Sequence, residues 1–345
     1  MSVTTSLNLP VLSFSQLTTE HPQRDRWLAR LSEAARETGF FYLTDHGIDP
    51  ALLADVQRVS RAFFALPLAD KLAIRMAHSP HFRGYNVAGA ELTRSQPDQR
   101  EQFDLGAERD PLPLTPESPA WQRLQGPNQW PAALPELRAV LSRWQQAMTG
   151  MALALLRAFA DALHLPHHAF DTLYGRLPNE HVKLIRYPGQ SAAASRQGVG
   201  AHKDSGFLTF LLQDAQPGLQ VEVTPDRWVD ATPLPGAFVV NIGELLELAT
   251  NGYLRATVHR VVSPPAGSER LSVAFFLGAE LGAVVPVYPL PASLAQLAQG
   301  PASDPLNPLL RDVGWNYLKG RLRSHPDVAA RFYADQLSAL SPRPQ

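Results

Sequence analysis

The sequence predicts a mainly β core, a sandwich or jelly roll, behind an N-terminal region that is largely helical. Three observations carry this. Between residue 181 and about residue 280 the chain holds roughly eight short β-rich runs: "HVKLIRY", "GVGAHKD", "FLTFLLQ", "LQVEV", "RWVDA", "AFVVNI", "TVHRVV" and "RLSVAFFL". Turn residues such as Pro-Gly, Gln-Pro-Gly and Pro-Pro-Ala-Gly separate them, as in all-β sandwiches and barrels. Before residue 181 the periodicity is mostly helical. The expected organisation is one structural unit in three stretches: a helical and irregular region over 1–180, the β core over 181–285, and a helical extension and tail over 286–345.

In chain order, "DRWLARLSEAARETG" puts Trp27, Leu28, Leu31, Ala34 and Ala35 on one helical stripe. A short aromatic strand, "FFYL", runs into the turn "TDHG". Asp49 and Pro50 then supply an N-cap and a first-turn proline for the helix "ALLADVQRVSRAFFAL". Residues 78–132 read as irregular and proline-rich, with Phe82, Tyr85, Phe103, Trp121 and Trp130 among them. A long helix is expected over 134–163, a shorter one near 167–176, and a C-terminal helix over 326–340. The tail "SPRPQ" is expected to be mobile.

Composition narrows the chemistry. Lys+Arg (31) and Asp+Glu (32) nearly cancel, so no field draws the chain to nucleic acid or an anionic membrane. There is no cysteine, which excludes disulfides, thiolate catalysis and cysteine-ligated metal; any metal must sit on His, Asp or Glu. The start "MSVTTSLNLPVLSF" lacks the basic and apolar parts of a signal peptide. The most apolar helical run, "GMALALLRAFADALHL", is interrupted by Arg157 and Asp161 and is too short to span a bilayer. A soluble, cytoplasmic protein acting on a small molecule is the expectation.

The run "GVGAHKDSGFLTFLLQD" places His202 and Asp204 two residues apart at the head of an apolar stretch. On a strand those two side chains share a face and Lys203 points away. Of the eleven histidines, only His259 lies in a comparable strand context of the β-rich half. Two histidines and a carboxylate on one face leave open positions on a metal, as in non-haem Fe(II) oxygenases; the same set also holds catalytic zinc. His-x-Asp alone also fits a simple ion pair at a strand end. Eleven residues beyond His259, Arg270 and Ser272 again share a strand face. A guanidinium and a hydroxyl turned into a core are costly unless they meet an anion, and a dicarboxylate co-substrate would supply one.

With these motifs in order, the sequence resembles the isopenicillin N synthase-like group of Fe(II)/2-oxoglutarate-dependent oxygenases. The resemblance runs over nearly the whole chain, through "GFFYLTDHGI", "RGYNVAGAE", "GPNQWP", "HKDSGFLTFLLQD", "VVNIGELLELATNG", "HRVVSP" and "RLSVAFF". It implies a double-stranded β-helix (jelly roll), iron on His202, Asp204 and His259, and the co-substrate 2-oxoglutarate on Arg270, Ser272 and Tyr187. It further implies an oxidoreductase that uses O₂, releases succinate and CO₂, and hydroxylates (or desaturates or cyclises) a small molecule. Phe276 matches the family's pocket aromatic, and Asn241 fits as a buried polar group near the site. Lys203 stands where the family commonly has threonine. Phe82, Arg83 and Phe103, with Trp130 and Arg186, are further candidates for a substrate pocket.

Three rivals remain at this point: an Fe(II) oxidase of the same family that uses no 2-oxoglutarate, a zinc hydrolase on a jelly roll, and a non-catalytic small-molecule-binding jelly roll. In the oxidase case a C-terminal glutamine can occupy the iron. Gln345 is expected to be a free tail instead, because "SPRPQ" has two prolines and no apolar anchor.

Overall fold

The computed structural model describes residues 8–18, 20–175, 177–191, 197–302, 304 and 307–336. Gln345 and the tail lie outside the described residues. The helices are α1 (Arg24–Glu37), α2 (Pro50–Ala65), α3 (Leu68–Ala73), α4 (Glu136–Ala162), α5 (Glu244–Ala249), α6 (Ala292–Ala295), α7 (Val313–Ser324) and α8 (Pro326–Phe332). The strands are β1 (Val11–Ser13), β2 (Phe40–Thr44), β3 (Gly84–Asn86), β4 (Leu92–Thr93), β5 (Gln96–Pro97), β6 (Glu101–Gly106) and β7 (Asn179–Pro188). They continue as β8 (Gln197–His202), β9 (Leu208–Gln213), β10 (Leu219–Thr224), β11 (Arg227–Asp230), β12 (Phe238–Ile242), β13 (His259–Val262) and β14 (Glu269–Gly278).

Two sheets face each other in a jelly roll. The larger runs β1-β2-β12-β9-β14-β7-β6-β3 and the smaller β11-β10-β13-β8. Strand parity divides the larger sheet. On β14, Leu271, Val273, Phe275 and Leu277 join the core beneath the helices, while Arg270, Ser272, Ala274 and Phe276 line the space between the sheets. On β7, Val182 and Leu184 face the helices, whereas His181, Lys183, Ile185 and Tyr187 face inward. The helix side is sealed by α1, α2 and α4; Trp144 of α4 meets Phe275 edge-on at 6.1 Å. The other side closes on a smaller core in which Phe40, Ile185, Tyr187 and Val239 meet Val199, Leu219, Val221 and Val261 of the small sheet. Each fully buried aliphatic or phenyl side chain stabilises the fold by roughly 1.5–3 kcal/mol.

The stripe of α1 is buried at Trp27, Leu28, Leu31, Ala34 and Ala35, and Asp49 caps α2 by accepting from the Ala51 N–H at 2.9 Å. Elsewhere the structure departs from the sequence expectations. The stretch 78–132 contributes β3 and β6 to the large sheet, where β6 pairs with β7. Near 167–176, among the described residues, a single 3-10 turn forms, Asp171–Leu173; Asp171 is held by Arg157 at 3.0 Å and by His168 at 2.8 Å. At the C-terminal end, α7 precedes α8, which ends at Phe332; residues 337–340 of the expected helix lie outside the described residues. Among the described residues, no helix is long and apolar enough to cross a membrane.

Candidate active site

A cavity of about 1040 Å³ opens between the sheets, and the expected metal residues converge in it. His202 ends β8 and His259 begins β13; the two strands pair at these residues, with ring centroids 4.3 Å apart. Asp204 lies just past the end of β8, in the turn before β9, so the pair is not two positions of one strand. One ligand atom from each of the three lies within 4.8 Å of the others. His202 Nε2 and His259 Nε2 stand 3.6 and 3.7 Å from Asp204 Oδ1.

The surroundings fix these atoms. His202 Nδ1 faces the Gly200 carbonyl at 2.8 Å, and His259 Nδ1 the Thr257 carbonyl at 3.1 Å. A carbonyl only accepts, so both Nδ1 atoms carry a proton and Nε2 is the atom each ring turns toward a metal. Asp204 Oδ2 accepts from Thr209 Oγ1 at 2.6 Å and from Asn241 Nδ2 at 2.8 Å, leaving Oδ1 toward the histidines. Burial disfavours charge on Asp204, but His259 and then His202 outweigh it and hold the carboxyl far below its usual range. Burial, with His202 beside it, pushes His259 down to about 4. Burial opposes charge on His202 too, but the Asp204 carboxylate prevails and raises its pKa. Once His202 gives up its Nε2 proton to a metal, two imidazole nitrogens and an ionised carboxylate form the donor set that suits a divalent metal of intermediate hardness.

Six residues along β14 from Phe276, Arg270 is fully buried. It donates to Ser272 Oγ at 3.2 Å and to Gln213 Oε1 at 2.8 Å, its Nε has no partner, and its guanidinium carbon lies 5.0 Å from the Tyr187 ring centre. Tyr187 owes its position to Gly198, where a Cβ would come within 2.9 Å of the ring. Burial lowers the Arg270 pKa. No described carboxylate lies within ion-pair distance of it, although the Asp214 charge acts on it from farther away, so the pocket keeps a cation without a contact anion next to a hydroxyl, which fits the acid end of a bound dicarboxylate.

The remaining candidates separate by parity and packing. Phe276 lines the cavity. Asn241 lines it as well, but its amide is engaged with Asp204. Phe103 faces the other way on β6, into the helix-side core 4.9 Å from Phe63 and 6.0 Å from Trp130. Phe82 packs 5.4 Å from Tyr333 in a satellite core under α7 and α8. The buried Arg83 donates to the carbonyls of His81 and Leu124, its Nε has no partner, and it does not line the cavity. Arg186 is paired with Glu101 and Glu269. Phe82, Arg83, Phe103 and Arg186 are therefore outside the cavity lining. Lys203 turns to α5 and pairs with Glu247 at 3.2 Å.

Several cavity residues escaped the sequence reading. Thr209 of the lining, and Gln213, which lies outside it and accepts from Arg270, are the polar positions of an otherwise apolar strand, a signal available from alternation. Tyr317, Gly320, Arg321 and Ser324 of α7 also line the cavity, at the three- and four-residue spacing of one helix face.

Fold and site together define a jelly roll with a two-histidine, one-carboxylate centre. Comparison with known proteins gives the family. Residues 9–133 match the model for the non-haem dioxygenase in morphine synthesis N-terminal region, and residues 178–279 match that for the 2OG-Fe(II) oxygenase superfamily. The chain is 34% identical to the 2-oxoglutarate-dependent dioxygenase frbJ of Dothideomycetidae sp. (strain 11243), over 94% of this chain and 92% of that protein. It is 32% identical to a homoarginine-6-hydroxylase of Arabidopsis thaliana, over 81% of this chain and 86% of the relative. A Neurospora crassa protein solved in complex with alpha-KG and thymine shares the fold, with a TM-score of 0.76 at 24% identity over 92% of this chain and 98% of that one. The chain belongs to the 2OG-Fe(II) oxygenase superfamily. It is an oxidoreductase whose cofactors are Fe(II), 2-oxoglutarate and O₂.

Proposed function

We propose that this enzyme hydroxylates a small organic molecule at a centre in which His202, Asp204 and His259 hold Fe(II) and Arg270 and Ser272 hold the distal carboxylate of 2-oxoglutarate. Bound iron supplies O₂ activation and couples loss of CO₂ from 2-oxoglutarate to oxidation of a substrate C–H bond. The chain's own residues do the positioning. Thr209 and Asn241 aim the Asp204 carboxylate. Ser272 accepts from Arg270 and keeps its own O–H for the co-substrate. Tyr187 walls the co-substrate end and Phe276 faces the substrate. A cytoplasmic location, with neither nucleic acid nor membrane as partner, belongs to this reading.

The observation that carries the proposal is Arg270, a fully buried guanidinium bonded only to neutral groups. The test is oxygen consumption with succinate detection. Full-length protein with Fe(II) and ascorbate is expected to convert 2-oxoglutarate slowly to succinate without added substrate, and faster as a screened compound is accepted. Iron-loaded protein that makes no succinate, alone or across the screen, contradicts it.

A further inference from the structure

Beyond the metal and the co-substrate clamp, one wall of the cavity carries charge that the reaction itself does not use. Arg100, Lys183 and Arg321 line it, opposed by Glu91, Asp98 and Asp104. The carboxylates are well satisfied. Glu91 takes Arg100 at 2.8 Å and Lys183 at 2.9 Å; Asp98 takes Thr93, the Gly200 N–H and Arg100; Asp104 takes Gln102 at 2.7 Å and His181 at 2.8 Å. Of the cations, Lys183 is satisfied by both Glu91 oxygens, with Asp104 at 3.6 Å, but the two arginines are not fully engaged. Arg100 Nε has no partner. Arg321 reaches Asp104 only at 3.3 Å, and its other terminal nitrogen points at His181 Nε2, 2.8 Å away.

That last contact is mismatched. His181 is neutral, because burial and then Arg321 push it down to about 3. Its Nε2 cannot both donate to Asp104 and accept from Arg321, so either the imidazole or the guanidinium has an N–H without its acceptor. His181 Nδ1 is buried and unpartnered as well. The His181–Arg321 pair is thus one acceptor short, and Arg321 projects from α7 into the cavity.

The register places this wall beside the metal centre. Phe276 pairs with His181 on one side and with Thr209 on the other, and Thr209 holds Asp204. Two strand spacings separate His181 from Thr209, roughly 10 Å. Arg270 lies six residues down the strand, roughly 20 Å from Phe276, so the two arginines serve different ligands.

We propose that the substrate carries an acid group, anionic at neutral pH, which docks on Arg321 with Lys183 beside it, and that this contact selects the substrate. The inference rests on Arg270 being the co-substrate clamp. The test uses full-length protein loaded with Mn(II) and saturated with 2-oxoglutarate under nitrogen, titrated calorimetrically with matched probes: hexanoate against hexanamide, phenylacetate against phenylacetamide, and hexyl phosphate against hexanol. Each acid is expected to bind at least tenfold more tightly than its neutral partner. A preference confined to carboxylates or to the phosphate identifies the acid. Arg321→Gln is expected to lose this preference and Arg321→Lys to retain part of it, with circular dichroism confirming that both fold. Equal binding of acids and neutral partners, no binding of any acid at millimolar concentration, or an undiminished preference in folded Arg321→Gln overturns the inference. A separate titration of the Mn(II) protein with 2-oxoglutarate tells the readings apart. If the wild type binds no 2-oxoglutarate the co-substrate assignment fails; if it binds 2-oxoglutarate but does not prefer acids, only the substrate inference fails.

Discussion

Asn241 and Thr209 place two hydrogen bonds on one oxygen of Asp204 and so direct the other at the histidines. Neither touches a metal, yet both set the carboxylate's angle. Asn241→Ala is expected to lower Fe(II) or Mn(II) affinity about 10- to 100-fold, the usual effect of removing a ligand's support, with little change in fold by circular dichroism. Unchanged metal affinity would show that Thr209 alone orients the carboxylate. Arg270→Gln tests the other end. A charge-assisted hydrogen bond contributes about 1.5–3 kcal/mol, so 2-oxoglutarate affinity is expected to fall ten- to a hundredfold while metal affinity holds. If co-substrate binding is unaltered, Arg270 is not the clamp. The convergence of His202, Asp204 and His259, and the shared face of Arg270 and Ser272, were legible in the sequence because few residue types do this chemistry and their spacing is distinctive. Thr209 was not, since a threonine in a strand is ordinary until the β9–β14 register puts it beside Asp204. Phe82 and Phe103 misled for the same reason: their aromatic character was visible, the face they occupy was not.

Among the elements, β14 was plain because its two faces alternate between apolar and functional residues. β6 was hidden: its inward positions are Gln102 and Asp104, which read as a polar loop until His181 and Arg321 are seen to meet them. α7 was missed because its apolar positions are few, and part of its inner face is Gly320, Arg321 and Ser324. The junction of α7 and α8 carries a measurable consequence. His325 is buried there, 3.9 Å from Glu91, and burial brings it down to about 4. Its folded pKa lies below its unfolded one. It therefore costs nothing above about pH 6.5, and stability is lost as pH falls toward the folded value, by up to about 1.4 kcal/mol per pH unit. Glu244, pushed up to about 7 by burial, works in the opposite direction, so the informative quantity is a difference. Urea unfolding of metal-free wild type and His325→Phe between about pH 7 and about pH 5 is expected to show a shallower loss in the variant. Parallel curves would mean that His325 takes up its proton without loss of the fold.

At the scale of the molecule, the change of character at residue 181 marked where the β core begins in sequence, but the sheet does not respect it. β1 and β2 extend it at one edge, and β6 and β3 at the other, so residues well before 181 supply a wall of the cavity and part of its charge. Pairings between segments so far apart leave no local pattern to read. The result is a centre enclosed by both sheets and α7, with His202, Asp204 and His259, the buried Arg270 and the charged wall of Arg100, Lys183 and Arg321 around one space. The central claim is that His202, Asp204 and His259 bind the iron to which 2-oxoglutarate then binds. Anaerobic addition of Fe(II) and then 2-oxoglutarate, followed by visible absorption, tests it most directly. The wild type is expected to develop a metal-to-ligand charge-transfer band that is absent in folded His202→Ala; no band in the wild type, or the same band in the variant, would contradict it.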